Sequence, residues 1–396
     1  MEVRPLRRHP IWLIRYAFSY PIHCFYARIK KNMRSIIFHF RKLDWILIIS
    51  TILLSSIGLL SLYSSSIGSD DFLNFQKQLI FLGVGLFLMF LFSLFNYRIL
   101  RDDQRLILII YAICLLALIG LFFFAPAIRG VRNWYKIGPI SIDPAEFVKL
   151  ALLLLLAKYF SIKHTELYRM RHILLSGFYV FLPALLISLQ PNLGSAMVLL
   201  ILWAVVLIVS GIEIKRFFIL CLCGLAIFVL SWLFFLRDYQ KERIIGFVVP
   251  QFEPLGAGWN QAQARIAIGV GGLLGEGFAG GSQTQYGFLP EPQTDFIFSA
   301  IAEEFGLAGV FVILALLTII ITRIIKIALL ADSNFPRLFS IGFTAILVSQ
   351  VFINIGMNLG LLPVVGIPLP LVSYGGSSLI TTFIGLGLAL SIRLRI

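Results

Sequence analysis

The chain has 396 residues, of which 59% are hydrophobic and 13% charged, with a mean hydropathy of +0.94. Soluble domains carry about 25% charged residues, so this composition excludes a water-soluble globule and points to an integral membrane protein. The formal net charge of +14 reads as membrane topology rather than a nucleic-acid footprint, because cytoplasmic loops gather Lys and Arg.

Residues 1–44 form a basic, aromatic-rich arm. It lacks a clean apolar core and an A-x-A-like cleavage site, so it reads as a cytoplasmic or interfacial segment suited to anionic lipid, not as a secretory signal. Residues 45–396 read as one membrane domain. Its long Leu, Ile, Phe and Val runs are unlike the short alternating segments of a β-barrel. Hydropathy predicts helices over 45–63, 78–97, 106–125, 146–160, 173–189, 195–211, 217–236, 296–322, 338–358 and 376–392. The expected fold class is therefore an all-α polytopic membrane protein of about ten transmembrane helices. An even number puts both termini on one side, and the arm, loops and tail on that side together hold most of the 33 Lys and Arg residues, so both termini are expected in the cytoplasm. The outer segment 237–295, between the seventh and eighth predicted helices, is far longer than a connector needs and is expected to be functional or partly re-entrant. Other outer departures from bland connectors lie at 126–145, 190–194 and 359–375.

Cys24, Cys114, Cys221 and Cys223 make neither a C-x-x-C redox motif nor a zinc spacing. The five histidines fall in the arm or in one short basic loop, so no His-based metal or acid–base site is expected.

Ionisable residues at a membrane boundary are costly, which makes each a functional candidate. Asp295 stands at the outer start of an apolar helix, either as a helix cap or as a functional acid. At about 100° per residue, Glu303 would lie some 80° from Asp295 and line the same cavity, while Glu304, nearly opposite, would meet another helix. Lys149 follows Glu146 by three residues and reads either as a structural pair or as a fixed cation for a phosphate group. Arg129, Arg132 and Lys136, interleaved with Trp134 and Tyr135, read either as support for that cation site or as an interfacial anchor. The glycine run G-V-G-G-L-L-G-E-G at 269–277 has the wrong spacing for a dinucleotide fingerprint. It suits tight helix contact or a re-entrant backbone near a ligand. Y-G-G-S-S at 374–378 is not a serine-hydrolase elbow, and the Pro-rich run at 360–371 reads as a broken outer segment. These residues describe an outward polar cavity with one carboxylate and several cations, suited to an anionic lipid-linked substrate.

Several stretches resemble the SEDS (shape, elongation, division and sporulation) family, to which RodA and FtsW belong. They are G-V-R-N-W at 130–134, D-P-A-E-F-V-K-L at 143–150, Q-P-N-L-G-S-A at 190–196, A-I-G-V-G-G-L-L-G-E-G at 267–277, F-L-P-E-P-Q-T-D-F-I-F at 288–298, A-E-E-F-G at 302–306 and N-I-G-M-N-L-G-L-L-P-V-V-G-I-P-L-P-L-V-S-Y-G-G-S-S at 354–378. The resemblance implies a peptidoglycan glycosyltransferase that polymerises lipid II into β-1,4 glycan strands at the outer face of the bacterial inner membrane. Its implied partners are lipid II, the nascent lipid-linked glycan, membrane lipids and a class B penicillin-binding protein, with no nucleic acid. The run V-V-G-I-P-L-P-L-V-S looks closer to the elongation member, RodA, than to the division member, FtsW. The family's essential acid falls on Asp295, its outer-loop Trp on Trp134 and its membrane-embedded Lys on Lys149.

By that resemblance Asp295 is expected to act as general base in an inverting transfer, with Lys149, Arg129 or Arg132 stabilising the departing pyrophosphate. No tightly bound cofactor is expected, and a divalent cation, magnesium or manganese, is the one candidate aid. Arg265 and Glu303 are further substrate-binding candidates. Two departures stand out: Glu276 occupies a position where the family often has Lys, and Asn192 one where it often has Asp. The competing readings are a lipid II flippase, which should need polar motifs facing both leaflets, and a non-catalytic scaffold for a penicillin-binding protein.

Overall fold

Apolar chain in hydrocarbon must satisfy its backbone internally, and long helices dominate accordingly. The computed structural model describes residues 41–126, 133–138, 140–163, 170–234 and 257–396. Two compact units are distinguished, Met1–Asp44 and Trp45–Ile396. The second contains α1 (Trp45–Ser69), α2 (Leu73–Leu94), a short α3 (Arg98–Asp102) and α4 (Gln104–Phe124). A hairpin of β1 (Tyr135–Ile137) and β2 (Ile140–Ile142) leads to α5 (Pro144–Lys163), α6 (Met170–Leu189), α7 (Leu193–Val209) and α8 (Ile214–Phe234). Then follow α9 (Ala257–Gly271), a single turn α10 (Ser282–Gln285), α11 (Ile297–Leu329), α12 (Asn334–Asn358) and α13 (Gly376–Arg393).

A helix occupies each of the ten segments marked by hydropathy, with ends displaced by several residues. Seven of them, α1, α2, α4, α6, α11, α12 and α13, are long and apolar enough to cross a membrane. The protein is a multi-pass membrane protein. α12 and α13 are the most enclosed, whereas α2, α4 and α11 turn most of their surface outwards, as lipid-facing helices do. α12 packs on α5, α7 and α11, while α13 packs on α2 and α5. Near the far end of α5, the buried Lys158 ammonium donates to the Arg101 carbonyl and ties α5 to the end of α3.

Two features depart from a plain all-helical reading. The first is the antiparallel hairpin, in which Tyr135 pairs with Ile142 and Ile137 with Ile140. Its Y-K-I-G-P-I-S-I sequence alternates apolar and polar residues around a Gly-Pro turn, and Gly138 takes φ +60° there. The second is in the outer segment expected as a loop, where the described part carries α9 and α10.

The same segment interlocks with α11, which is interrupted at Gly306 (φ 61°, ψ −161°). The interruption orphans carbonyls on one side and N–H groups on the other. Glu276 N–H donates to the Glu303 carbonyl and Gly277 N–H to that of Glu304, at 2.9 and 3.0 Å. In return, Leu307 N–H and Ala308 N–H donate to the carbonyls of Gly272 and Leu273, at 2.9 and 3.1 Å. The glycine run is what permits this approach. A Cβ at Gly271 would stand 1.9 Å from the Ala302 carbonyl oxygen, and one at Gly275 2.2 Å from that of Glu304.

Candidate functional site

Asp295 is the residue on which several irregular segments between the helices converge. Helix α11 starts at Ile297 with Phe296 in the cap position and no side-chain cap bond, so Asp295 lies outside the helix and is not its cap residue. Its backbone carbonyl accepts from Asn354 Nδ2 (3.1 Å) and Asn358 Nδ2 (3.0 Å), both on α12 and both fully buried. Asn354 Nδ2 also donates to the Ile367 carbonyl at 2.8 Å, and Asn358 Oδ1 accepts from Ser299 N–H and Oγ–H at 3.2 and 2.6 Å.

The two residues before Asp295 are held just as closely. Ser373 Oγ donates to the Thr294 carbonyl (2.7 Å), and Tyr374 N–H donates to that of Gln293 (2.8 Å). Gln78, buried on α2, donates to the Ser373 carbonyl and accepts from Gly375 N–H, and Asn74 one turn earlier donates to Gln293 Oε1. The carboxylate itself faces Gly366, where a Cβ would stand 3.8 Å from Oδ2 and where φ is +70°. The neighbouring Val365 and Ile367 press on Gly194 at the start of α7. Residues 190–196, 288–298 and 354–378, far apart in the chain, thus meet around one half-exposed carboxylate.

Lys149 and Glu146 form a salt bridge of 2.7 Å inside the helix packing, with side chains 3% and 7% exposed. They line a cavity of about 20 Å³ together with Gln350 of α12 and Thr381 and Thr382 of α13. That volume suits about one water and is too small for a phosphate group. The structural-pair reading of Lys149 is the one this geometry displays. Just before α5, burial and the nearby Glu146 carboxylate push the Asp143 carboxyl from its ordinary value of 3.8 up to about 7. Its N–H is held by Ser377 Oγ at the start of α13, at 2.8 Å. Trp134 is half-buried at the entry to the hairpin, which Tyr135 anchors by donating its hydroxyl to the Ala117 carbonyl of α4. Arg129 and Arg132 lie outside the described residues.

Comparison with known proteins decides the lineage. The model of the cell cycle protein family of FtsW, RodA and SpoVE matches residues 44–395. The chain belongs to this family. It is 38% identical over 291 residues to the Escherichia coli peptidoglycan glycosyltransferase MrdB, covering 72% of this chain and 76% of that one. It is 37% identical to the Bacillus subtilis stage V sporulation protein E, covering 88% and 96%. A solved chain from a peptidoglycan synthase complex that coordinates polymerization and crosslinking superposes with a TM-score of 0.75 at 33% identity, covering 89% of this chain and 97% of that one.

Within this FtsW/RodA/SpoVE fold, Glu303 does not line the Asp295 cavity. One helix running through Asp295 would bring the two acids to a common side, but α11 starts two residues later. Glu303 is fully buried, and its carboxylate accepts from Gln283 N–H (2.5 Å), Thr284 N–H (3.1 Å) and Thr284 Oγ–H (2.7 Å), anchoring the α10 turn. Glu304 does meet another helix, through Ser64 of α1. Arg265 is exposed on α9 and passes over Gly360, where a Cβ would stand 3.2 Å from its Cδ. Gln261, one turn earlier on α9, fixes that contact by donating to the Leu362 carbonyl at 2.6 Å.

The two departures have local explanations. Glu276 Oε2 accepts from Ser282 N–H at 3.0 Å, so its anion supports the approach to α10. Asn192 Oδ1 accepts from Ser195 N–H at 3.2 Å and caps α7, a task an amide performs as well as a carboxylate. Asn354, Asn358, Gln78 and Ser373 are the residues around Asp295 that charge-seeking overlooked. The signal for the amides was pairs four apart on apolar helices, Asn74 with Gln78 and Asn354 with Asn358, and Ser373 carried none. Among the described residues, no group of three or more His, Cys, Asp or Glu comes together.

Proposed function

We infer that this protein is a peptidoglycan glycosyltransferase that joins lipid II units into β-1,4 glycan strands. The observation that carries the reading is the family match over residues 44–395, in a chain whose outer motifs meet at Asp295. Relatives named as glycosyltransferases leave the flippase and scaffold readings without support.

Asp295 takes the proton from the acceptor sugar's 4-hydroxyl as that oxygen attacks the donor's anomeric carbon, and the lipid pyrophosphate departs from the opposite side. One carboxylate suffices, because a pyrophosphate leaves without a proton, unlike the two-carboxylate scheme of glycoside hydrolysis. Arg265, a described and exposed cation, meets the leaving group, with Arg129 and Arg132 as the further candidates. Trp134 offers an aromatic face to the substrate. The Lys149–Glu146 pair holds α5 against α12 and α13. A divalent cation, if used, would be held among the described residues by the Asp295 carboxylate and would supply charge neutralisation for the departing pyrophosphate.

The chain crosses the bacterial inner membrane ten times, with α5, α7 and α8 completing the set, and with both termini and the basic arm in the cytoplasm. It works beside a class B penicillin-binding protein, a reading supported by its likeness to a subunit of a synthase complex. It serves elongation, which rests on the 364–373 run.

The test is lipid II polymerisation by the purified chain, with and without a cognate class B penicillin-binding protein, read as a glycan ladder on a gel. The wild type forms a ladder, and Asp295→Asn, which keeps size but removes basicity, lowers turnover by about 10²-fold or more. Near wild-type turnover in that variant refutes the base assignment. Restoration of rod shape in a strain lacking its elongation polymerase tests the elongation role.

A further inference from the structure

Resting on the assignment of Asp295 as base, we propose that Asn354 and Asn358 are positioning residues for the reaction, holding Asp295 out of helix α11 and against the Gly366 wall. In an uninterrupted helix the N–H of Ser299 would donate to the carbonyl of Asp295, four residues earlier. Here Asn358 stands between them. Its Oδ1 takes the Ser299 N–H, and its Nδ2 serves the Asp295 carbonyl. Both halves of that helical bond are satisfied by one side chain, so the first turn has no drive to wind back through Asp295. The helix begins at Ile297 instead.

Asn354 adds a second restraint from one turn away. Its Nδ2 spans the carbonyls of Asp295 and Ile367, fixing the carboxylate's residue to the segment that Oδ2 faces at Gly366. Two fully buried amides in a membrane helix are costly unless paired, and both donate to the backbone carbonyl of the base. Gln350, a further turn back on the same stripe of α12, lines the Lys149 cavity. One helix face therefore sets the base and the buried ion pair at a fixed separation, with about 6 Å of helix rise per step.

The experiment measures kcat and KM for lipid II on the monodisperse, folded fraction of the full chain in lipid. It compares wild type, Asn358→Leu, Asn354→Ala and Asp295→Asn. Asn358→Leu keeps bulk in an apolar setting while removing the bonds to Ser299 and to the Asp295 and Asn354 carbonyls, and Asn354→Ala removes the tether to Asp295 and Ile367 with the Asn358 Nδ2–Asn354 Oδ1 contact. Displacement of the base lowers kcat by about 10- to 100-fold in Asn358→Leu, and less in Asn354→Ala, with KM within about twofold of wild type. Wild-type kcat in folded Asn358→Leu and Asn354→Ala, beside an inactive Asp295→Asn, overturns the positioning role alone. An active Asp295→Asn overturns the base assignment itself. Should neither asparagine variant yield a folded fraction, the two amides are structural and the proposal fails.

Discussion

The carboxylates and cations that a membrane chain can least easily hide divide into two groups by what their oxygens and nitrogens touch. Lys149 and Glu146 satisfy each other at 2.7 Å, away from water. Removing one partner strands the other, so Lys149→Met is expected to cost about 3 kcal/mol or more, and Lys149→Met with Glu146→Gln to recover much of it. Thermal unfolding in detergent measures both, and turnover per folded molecule that stays unchanged identifies the pair as structural. Asp143 behaves oppositely to a paired acid, because its folded-state carboxyl is raised to about 7 rather than lowered. The stability it contributes is complete below the ordinary value of 3.8 and is lost as pH rises through about 7. Asp143→Asn is expected to flatten the dependence of melting temperature on pH across that window. Glu304 was legible from the sequence as a contact to another helix, and of the two readings left open for Asp295 the helix cap falls away because Phe296 takes that position. Glu303 was misread because its role depends on where the helix starts, which residue types and a fixed angle per residue do not encode.

At the scale of elements, hydropathy located the helices because the bilayer imposes one length and one polarity on them. It did not reveal the interruption of α11. A lone glycine in an apolar helix is tolerated often enough to carry little signal, and the partner backbone that makes the break affordable lies some thirty residues upstream. The hairpin before α5 was written in a Gly-Pro turn and a short alternation, within a region marked only as irregular. The interlocked break makes a sharp prediction. Gly275 has φ +81° and no room for a Cβ beside the Glu304 carbonyl, so Gly275→Ala is expected to cost about 2 kcal/mol or more. Gly83, on α2 with nothing within 4 Å of an added Cβ, is the control: Gly83→Ala is expected to be neutral or slightly stabilising in the same melting measurement.

For the whole molecule, the arrangement of charge makes the orientation testable. Cysteines placed at Asp102 and at Tyr286, both exposed, should label from opposite sides of sealed vesicles in a background lacking the native cysteines, with position 286 outside. Labelling from one side would overturn the ten-crossing arrangement, because α4 and α6 alone would return the chain to the side it left, and position 286 labelling from inside would show the topology to be inverted. The convergence on Asp295 is a property of this scale as well. Segments from α2, α7, α9, α11 and α12 supply its surroundings, and no single stretch of sequence contains the site.

The paired break between residues 272–277 and 303–308 also bears on how the chain enters the bilayer. Neither half has a complete backbone alone, and each unpaired amide in hydrocarbon costs several kcal/mol. The upstream half emerges from the ribosome first and must wait for the downstream half before it can be buried. The two are therefore expected to partition from the translocon as one hairpin-like unit, and a nascent chain truncated after Gly277 should stay accessible to water-soluble reagents until residues through Ala308 have been made.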